Sequence, residues 1–249
     1  MINVTRGERP ASLDKPEIQE YLEQVAAYNL LDEEAKKKVN VKNINAGEYR
    51  NFDLLEAFDR DFYSKCYLTE QKYANSWAMD VEHFRSKAFG QSPELKYDWQ
   101  NLYPCSHDAN ILKPNNEPVG GYLDPCNLAD DVEKEIIYSL GFGGKAYFDP
   151  LDEQNIKAKN TTKLLDKIHN GTDENSTQKT AELRLLISKK EHEVKDLIMA
   201  WFNAGKKGFR EEEIRLGRQI KEILSRKSDF TMLLRSLTCI KYLPKDFLD

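Results

Sequence analysis

A change in hydrophobic periodicity in the first half of the chain constrains the fold more than any other feature. Apolar and polar residues alternate from Trp77 to His83, which indicates a short strand. A second short apolar segment follows at 99–103, and Ser106 or Asp108 is placed to cap a short helix over about 109–114. Apolar residues at helical spacing on both sides of this unit predict an α+β, mostly α fold. In that fold a small strand–loop–strand–helix core lies between helical regions.

Helical periodicity predicts the elements that flank this core. The predicted helices cover 16–30, 53–63, 177–204, 209–226 and 229–242, and a loop is predicted over 88–96. A β-hairpin is predicted over 132–149, with Gly141, Gly143 and Gly144 at its turn. A phosphate-binding loop is not favoured there, because the G-x-x-x-x-G-K-[ST] pattern is absent and no helix is predicted to follow.

The composition favours a polar protein without membrane contact. The chain has 249 residues, of which 32% are charged and 40% hydrophobic. No run approaches the roughly 18 apolar residues of a membrane span, and residues 1–10 lack the apolar segment of a secretory signal. We therefore expect a cytoplasmic protein whose four cysteines, none in a C-x-x-C pair, stay reduced.

The charge distribution limits how this chain could bind nucleic acid. Its formal net charge is -5, which is unfavourable for an isolated nucleic-acid binder. Residues 176–227 carry 13 Lys or Arg and 8 Asp or Glu, a local charge of +5. A nucleic-acid enzyme of this composition would use that basic surface, a partner's surface, or both, whereas the simpler interpretation is a solvated helix face of mixed charge.

Polar residues suited to phosphodiester hydrolysis follow the predicted strands and helix in order. His83, Asn101 and Asn110 are separated by 18 and then 9 residues. Imidazole suits a general base because its unperturbed pKa lies near 6.5, and hard cations prefer carboxylate and amide oxygens. Glu82 and Asn110 can supply such oxygens, and Asn101 can orient His83 or brace a loop. Because Glu82 and His83 point to opposite faces of a regular strand, a local bend must bring both to one site.

Five stretches of sequence, taken in order, carry a family resemblance. They are INVTRGERP (2–10), VEHFRSK (81–87), YDWQNL (97–102), LDPC (123–126) and NTTKLL (160–165). The chain resembles the HNH nucleases with a ββα-metal fold. More narrowly, it is similar to the HNH nuclease subunit of Septu-type antiphage defence systems, which is also an effector in some retrons. The resemblance extends to about residue 202, and the order of the stretches is more specific than any one of them.

The resemblance implies a role for each residue of the predicted site. His83 would be the general base and Asn101 its brace, while Glu82 and Asn110 would be ligands of Mg²⁺ or Mn²⁺, with His107 as an additional or alternative ligand. The implied activity is that of an endonuclease, with DNA as the expected substrate and RNA, including tRNA, as the alternative. The implied partner is an ABC/SMC-like ATPase. The corresponding regions are an N-terminal helical region (1–63), the HNH core with its hairpin (64–150) and a C-terminal helical region (151–249).

The chain departs from this family at its cysteines. Family members often carry one C-x-x-C pair before the first motif and another before the last asparagine, which together hold a structural zinc. Here Thr69 stands where the second cysteine of the first pair would be, and Ser106 and Ala109 replace the other pair. We therefore expect no structural zinc. The alternative is a zinc site rebuilt from Cys66, Cys105, His107 and Cys126.

Two further hypotheses stay open at the level of sequence. A catalytically degenerate HNH module would act as a nucleic-acid-binding or regulatory subunit. The replaced cysteines favour this interpretation, and the retained Glu82, His83 and both asparagines oppose it. A helical scaffold with an accidental motif match would instead hold Glu82, His83 and Asn110 far apart.

Overall fold

The computed structural model describes residues 1–87, 92–171 and 178–248 and is mostly helical, with two small antiparallel hairpins. The helices are α1 (Pro16–Asn29), α2 (Glu33–Lys36), α3 (Phe52–Asp61), α4 (His107–Leu112), α5 (Val132–Glu135), α6 (Ile156–Asn170), α7 (Gln178–Lys207), α8 (Arg210–Ile223) and α9 (Thr231–Arg235). The strands are β1 (Asp80–His83), β2 (Leu102–Cys105), β3 (Ile136–Leu140) and β4 (Ala146–Pro150). These elements confirm the predicted α+β, mostly α class.

The first hairpin and the helix after it follow the predicted strand–loop–strand–helix order. β1 pairs antiparallel with β2, with Asp80 opposite Cys105 and His83 opposite Leu102. The α4 helix begins after Ser106, whose hydroxyl accepts a hydrogen bond from the Ala109 N–H, so Ser106 rather than Asp108 is the cap. The α4 helix packs on β1 and on α6. Local sequence signals therefore produce a compact ββα unit over 80–112.

β1 is shorter than the predicted strand of 77–83. Residues Ser76–Ala78 form a 3₁₀ turn, because the Asn75 side chain accepts a hydrogen bond from the Trp77 N–H and caps this turn. The predicted loop of 88–96 is also partly wrong, since Pro93–Tyr97 form a 3₁₀ helix. Residues 88–91 lie outside the described residues.

The second hairpin confirms the prediction for 132–149. β3 and β4 pair antiparallel, with Tyr138 opposite Phe148. Gly144 has a φ of 71° and lies directly against α7, where an added Cβ would stand 2.1 Å from the Arg184 carbonyl oxygen. The glycine at this position is therefore required by the close approach of two backbones.

The region after the second hairpin is helical, as predicted, except near its end. There α7 and α8, and in the N-terminal region α1 and α3, begin and end within three residues of their predicted bounds, although Thr177 lies outside the described residues. The prediction of one helix over 229–242 is wrong. The α9 helix ends at Arg235, and Leu237 is extended, with a ψ of 135°, before a separate 3₁₀ turn at Thr238–Tyr242. In the described residues no helix, α7 included, has both the length and the apolar character to cross a membrane.

One hydrophobic cluster contains residues from all three predicted regions, from Met1 to Phe247. A smaller cluster joins α1 to the segment that precedes β2. It consists of Ile18, Tyr21, Val25 and Tyr97. The Tyr21 hydroxyl also donates to the Pro93 carbonyl at 2.7 Å. Helix α1 therefore supports the 3₁₀ helix from which Lys96 and Tyr97 reach the candidate site.

Candidate active site

The two faces of β1 separate the polar residues of the first motif. Asp80 and Glu82 lie on one half-exposed face, while Val81 and His83 lie on the buried face. The α4 helix covers the first face. The Asn110 amide donates to the Asp80 carboxylate at 3.0 Å, and His107 Nδ1 lies 2.9 Å from the same oxygen. The structure therefore brings Asn110 and His107 together, and the carboxylate they share belongs to Asp80.

Glu82 is held by a different residue of the same helix end. Lys113 Nζ lies 2.7 Å from Glu82 Oε1 and also donates to the carbonyls of His83 and Phe84, both at 3.1 Å. The Lys113 side chain is only 6% exposed and that of Glu82 only 15%. Glu82, the predicted metal ligand, thus forms a largely buried ion pair that ties the end of α4 to the end of β1.

His83 is almost fully buried and both of its ring nitrogens have partners. Nε2 lies 2.9 Å from the Lys96 carbonyl oxygen, and Nδ1 lies 3.0 Å from Lys87 Nζ. A carbonyl can only accept and an ammonium can only donate, so the neutral ring carries its proton on Nε2 and its lone pair on Nδ1. The ring also meets Tyr49 edge-on, with centroids 4.9 Å apart.

The surroundings of His83 keep its ring neutral. Burial, followed by the charge of Lys87, lowers the pKa of His83 to about 4. Burial and the charge of Lys96 likewise lower the pKa of Lys87. The Lys87 ammonium also lies over the Tyr49 ring, 4.9 Å from its centroid. At neutral pH His83 therefore has an unprotonated Nδ1 next to the cationic side chain of Lys87.

Asn101 braces the chain that follows β1. Its side-chain oxygen accepts from the Arg85 N–H at 2.7 Å, and its amide donates to the carbonyls of Arg85 and Leu95 at 3.0 and 3.1 Å. The residue is 1% exposed. The predicted brace therefore acts on the loop, whereas the Lys96 carbonyl rather than Asn101 accepts from the His83 ring.

An open cleft of 440 Å³ lies beside the Asp80–Asn110 pair. Its wall includes 47–50, Asp80, Val81, Lys96 and Asn110. Tyr49 and Lys96, which contact His83, thus share this cleft with the Asp80–Asn110 pair. Arg50 points its guanidinium at the backbone carbonyls of Trp77 and Met79, just before β1. Cationic side chains on one wall and a carboxylate on the other suit a phosphate group and a divalent cation, respectively.

The side chains grouped around Asp80 differ from the predicted metal ligands, because Glu82 is paired with Lys113. In the described ranges no group of three or more His, Cys, Asp or Glu side chains converges to hold a metal ion. Asp80, His107 and Asn110 nevertheless supply three donors when the amide oxygen of Asn110 is included. A carboxylate, an amide and an imidazole fit a divalent cation. Burial raises the Asp80 pKa, but hydrogen bonds from Asn110 and His107 outweigh it, so the carboxylate stays ionised. The hydrogen bond to Asp80 raises the His107 pKa.

Asp80 is the residue that sequence reasoning missed. Residues two apart in a strand share a face, so Asp80 and Glu82 were equivalent candidates for the face that α4 covers. Lys87 and Lys96 were missed as well, and for Lys96 nothing in the local pattern indicates its contact with His83. The Val81–Lys87 stretch did contain one usable signal, a cation four residues after the histidine.

The rebuilt zinc site is not assembled. Cys66 and Cys105 are buried and their thiols are hydrogen-bonded neighbours. Cys126 instead contacts Arg6 and Tyr103. His107 points to Asp80. These four residues form no metal-binding group among the residues that the structure describes.

Comparison of the chain with protein-family models, with curated proteins and with solved structures gives no match. The functional interpretation therefore depends on the geometry of the site and on the sequence resemblance.

Proposed function

We propose that this chain is a metal-dependent HNH-type endonuclease that hydrolyses phosphodiester bonds. One observation carries the proposal. A carboxylate of β1 and an amide of α4 share a cleft with Tyr49 and Lys96, the residues that contact the buried, neutral His83 at the end of β1. Glu82, His83 and Asn110 all belong to one ββα unit in which Asn110 bonds Asp80 of β1, which favours the nuclease over a scaffold with an accidental motif match.

The residues of the chain divide the work in this proposal. His83 accepts the proton of the attacking water at Nδ1, since the Lys96 carbonyl fixes the ring proton on Nε2. Lys87 must then move from Nδ1, and its ammonium is well placed to pair with a phosphate oxygen instead. Asn101 keeps the loop after β1 in place and so maintains the position of His83.

Asp80, Asn110 and His107 are the residues that would hold the divalent cation, Mg²⁺ or Mn²⁺. When bound there, such an ion stabilises negative charge on the phosphate and on the leaving oxygen. Asn110 donates its amide N–H to Asp80, so its carbonyl oxygen remains the group for the ion. Glu82 would join this set only after separating from Lys113.

The substrate and partner in this proposal follow from the resemblance and the charge. DNA is the proposed substrate, with RNA or tRNA as the alternative. A net charge of -5 supports dependence on a second protein for phosphate binding, and an ABC/SMC-like ATPase in a cytoplasmic antiphage system fits that need. No membrane-spanning helix occurs in the described parts of the chain.

A specific observation favours a second candidate function. The Lys87 ammonium is hydrogen-bonded to Nδ1 of His83, the nitrogen that would act as the base, and the Lys113 ammonium is paired with Glu82. His83 and Glu82 are therefore already bonded within the chain itself. A module that binds nucleic acid without cutting it would keep these contacts. The two candidates differ in a direct measurement of cleavage.

The test incubates the protein with supercoiled plasmid and with tRNA, in Mn²⁺ or Mg²⁺, with and without a candidate ABC/SMC-like ATPase. We expect cleavage that EDTA abolishes. His83→Ala should lower the rate at least about 100-fold, the usual size of a general-base contribution. Asp80→Asn should raise the metal concentration needed for half-maximal rate.

His192→Ala is the matched control, because His192 is an exposed histidine on α7 whose Nδ1 lies 2.6 Å from the Ser188 carbonyl oxygen of its own helix. It should cut like the wild type. Cleavage by His83→Ala at the wild-type rate would refute the catalytic assignment. Binding of plasmid without cleavage under every condition would establish the second candidate.

A further inference from the structure

A second cavity, of 620 Å³, adjoins the candidate active site and has no role in the proposed hydrolysis. Phe84 and Arg85, which directly follow His83, form one wall. Gln100, which directly precedes Asn101, lies in the same wall region, and the 117–130 segment with Lys157 of α6 completes the cavity. The volume lies in the range of small-molecule sites, which is roughly 300–1,000 Å³.

The two downstream stretches of the family resemblance meet at this cavity. Thr161 accepts from the Leu123 N–H at 2.8 Å, and the Asn160 amide donates to the Gly121 carbonyl at 2.9 Å. The backbone of Gly120 and Gly121 has positive φ, and a Cβ at Gly121 would stand 2.8 Å from Glu117 Oε1. Helix α6 therefore fixes a glycine turn that brings Glu117 to the mouth of the cavity.

The cavity is held at a set position relative to His83. Asn101 bonds both the N–H and the carbonyl of Arg85, so the backbone at the cavity mouth cannot shift independently of the active site. Two residues of chain span at most about 7 Å. Arg85 therefore lies within roughly two nucleotide steps of the His83 backbone, at about 3.4 Å of rise each.

The charged and amide side chains that line the cavity are three carboxylates (Glu117, Asp124, Asp130), two cations (Arg85, Lys157) and two amides (Gln100, Asn127). Asp124 bonds Tyr103, and the Asn127 side chain accepts from the Ala129 N–H. Asp130 is neutralised by Lys157, whose Nζ lies 2.9 Å from it. In the described part of the chain, no hydrogen bond or ion pair engages the side chains of Arg85, Gln100 and Glu117, and all three are exposed. They present one cation, one amide and one carboxylate to a ligand.

The walls also include two aromatic residues. Phe84 and Tyr122 line the cavity, and because each is only 7% exposed they offer a small apolar contact rather than an open ring face. A carboxylate or amide can bond the polar edge of a base, and a guanidinium pairs with a phosphate. One nucleotide would satisfy each of these groups.

We infer that this cavity takes one unpaired nucleobase of the strand that the active site cleaves, with the adjoining phosphate at Arg85. The inference rests on the proposed nuclease function and extends it. A base can enter only if it is unstacked, so the enzyme selects single-stranded, looped or flipped nucleotides next to the scissile bond. Gln100 and Glu117 read its polar edge.

The test measures binding separately from cleavage. Fluorescence anisotropy compares a labelled single-stranded 8-mer with an abasic 8-mer of the same backbone, using His83→Ala protein in Mn²⁺. We expect the base-containing strand to bind at least about fivefold more tightly. The further changes Gln100→Ala and Glu117→Ala together should lower that ratio towards one without weakening abasic binding. Arg85→Ala should weaken both strands.

Glu153→Ala is the matched control, because Glu153 is an exposed carboxylate near the start of α6 outside the cavity. It should preserve the ratio. An unchanged ratio in the Gln100/Glu117 double variant overturns the inference, even when the wild type cuts DNA. Loss of the ratio in that variant supports the cavity assignment, even when no cleavage occurs and the hydrolytic function fails. A nucleoside monophosphate that binds as tightly as the 8-mer would overturn the assignment to a strand.

Discussion

Lys113 offers the sharpest test of how the candidate site is held together. Its ammonium makes three hydrogen bonds, to Glu82 and to the carbonyls of His83 and Phe84, from a side chain that is 6% exposed. Lys113→Met keeps most of the aliphatic stem and removes the charge. The substitution leaves the Glu82 carboxylate, 15% exposed, without its counter-ion.

The expected loss of stability follows from these contacts. Removing one partner of a buried ion pair costs about 3–5 kcal/mol. Because Glu82 retains some contact with water, we expect the lower end, about 3 kcal/mol in the free energy of unfolding. For a chain of this size that corresponds to a Tm lower by roughly 6–12 °C.

Urea denaturation followed by far-UV circular dichroism measures this loss. The double variant Glu82→Gln/Lys113→Met removes the stranded charge and should recover at least about 1 kcal/mol relative to Lys113→Met. A loss below about 1 kcal/mol for Lys113→Met, or no recovery in the double variant, would refute the role of this ion pair.

Two further predictions concern the frame around the site. Gly144→Ala should destabilise the protein by more than about 2 kcal/mol, because its Cβ would stand 2.1 Å from the Arg184 carbonyl oxygen. Gly143 has a similar positive φ, but the nearest atom to an added Cβ is 3.8 Å away. Gly143→Ala should therefore cost only about 1 kcal/mol in the same urea titration. Equal losses would contradict this. Burial lowers the pKa of His169 to about 4, below the 6.5 of a histidine in an unfolded chain. As the pH drops from 6.5 to 4, the unfolded state therefore takes up the proton first. The free energy of unfolding then falls by about 1.4 kcal/mol per pH unit. The stability difference between wild type and His169→Gln should therefore shrink by about 2–3 kcal/mol between pH 7 and 4.5, and a constant difference would show that the ring is not kept neutral.

Much of the core unit could be predicted because its signals are local. Alternation of apolar and polar residues marks β1, and Ser106 caps α4 through a bond to a residue three positions away. These signals placed His83 at a strand end and Asn110 on a short helix. They failed over 229–242, where helical periodicity continues through Leu237 although the backbone there is extended.

The sequence could not predict which side chains contact the site residues, because these contacts join segments that are distant in sequence. The amino-acid sequence by itself determined the order of strands and helix and placed His83, Asn101 and Asn110 within it. Only the tertiary structure decided that α4 meets Asp80, that Lys113 neutralises Glu82 from 31 residues away, and that a backbone carbonyl orients His83. The physical reason is that strand alternation defines two faces, whereas the packing of a helix on one face decides which of two similar carboxylates is left for a ligand.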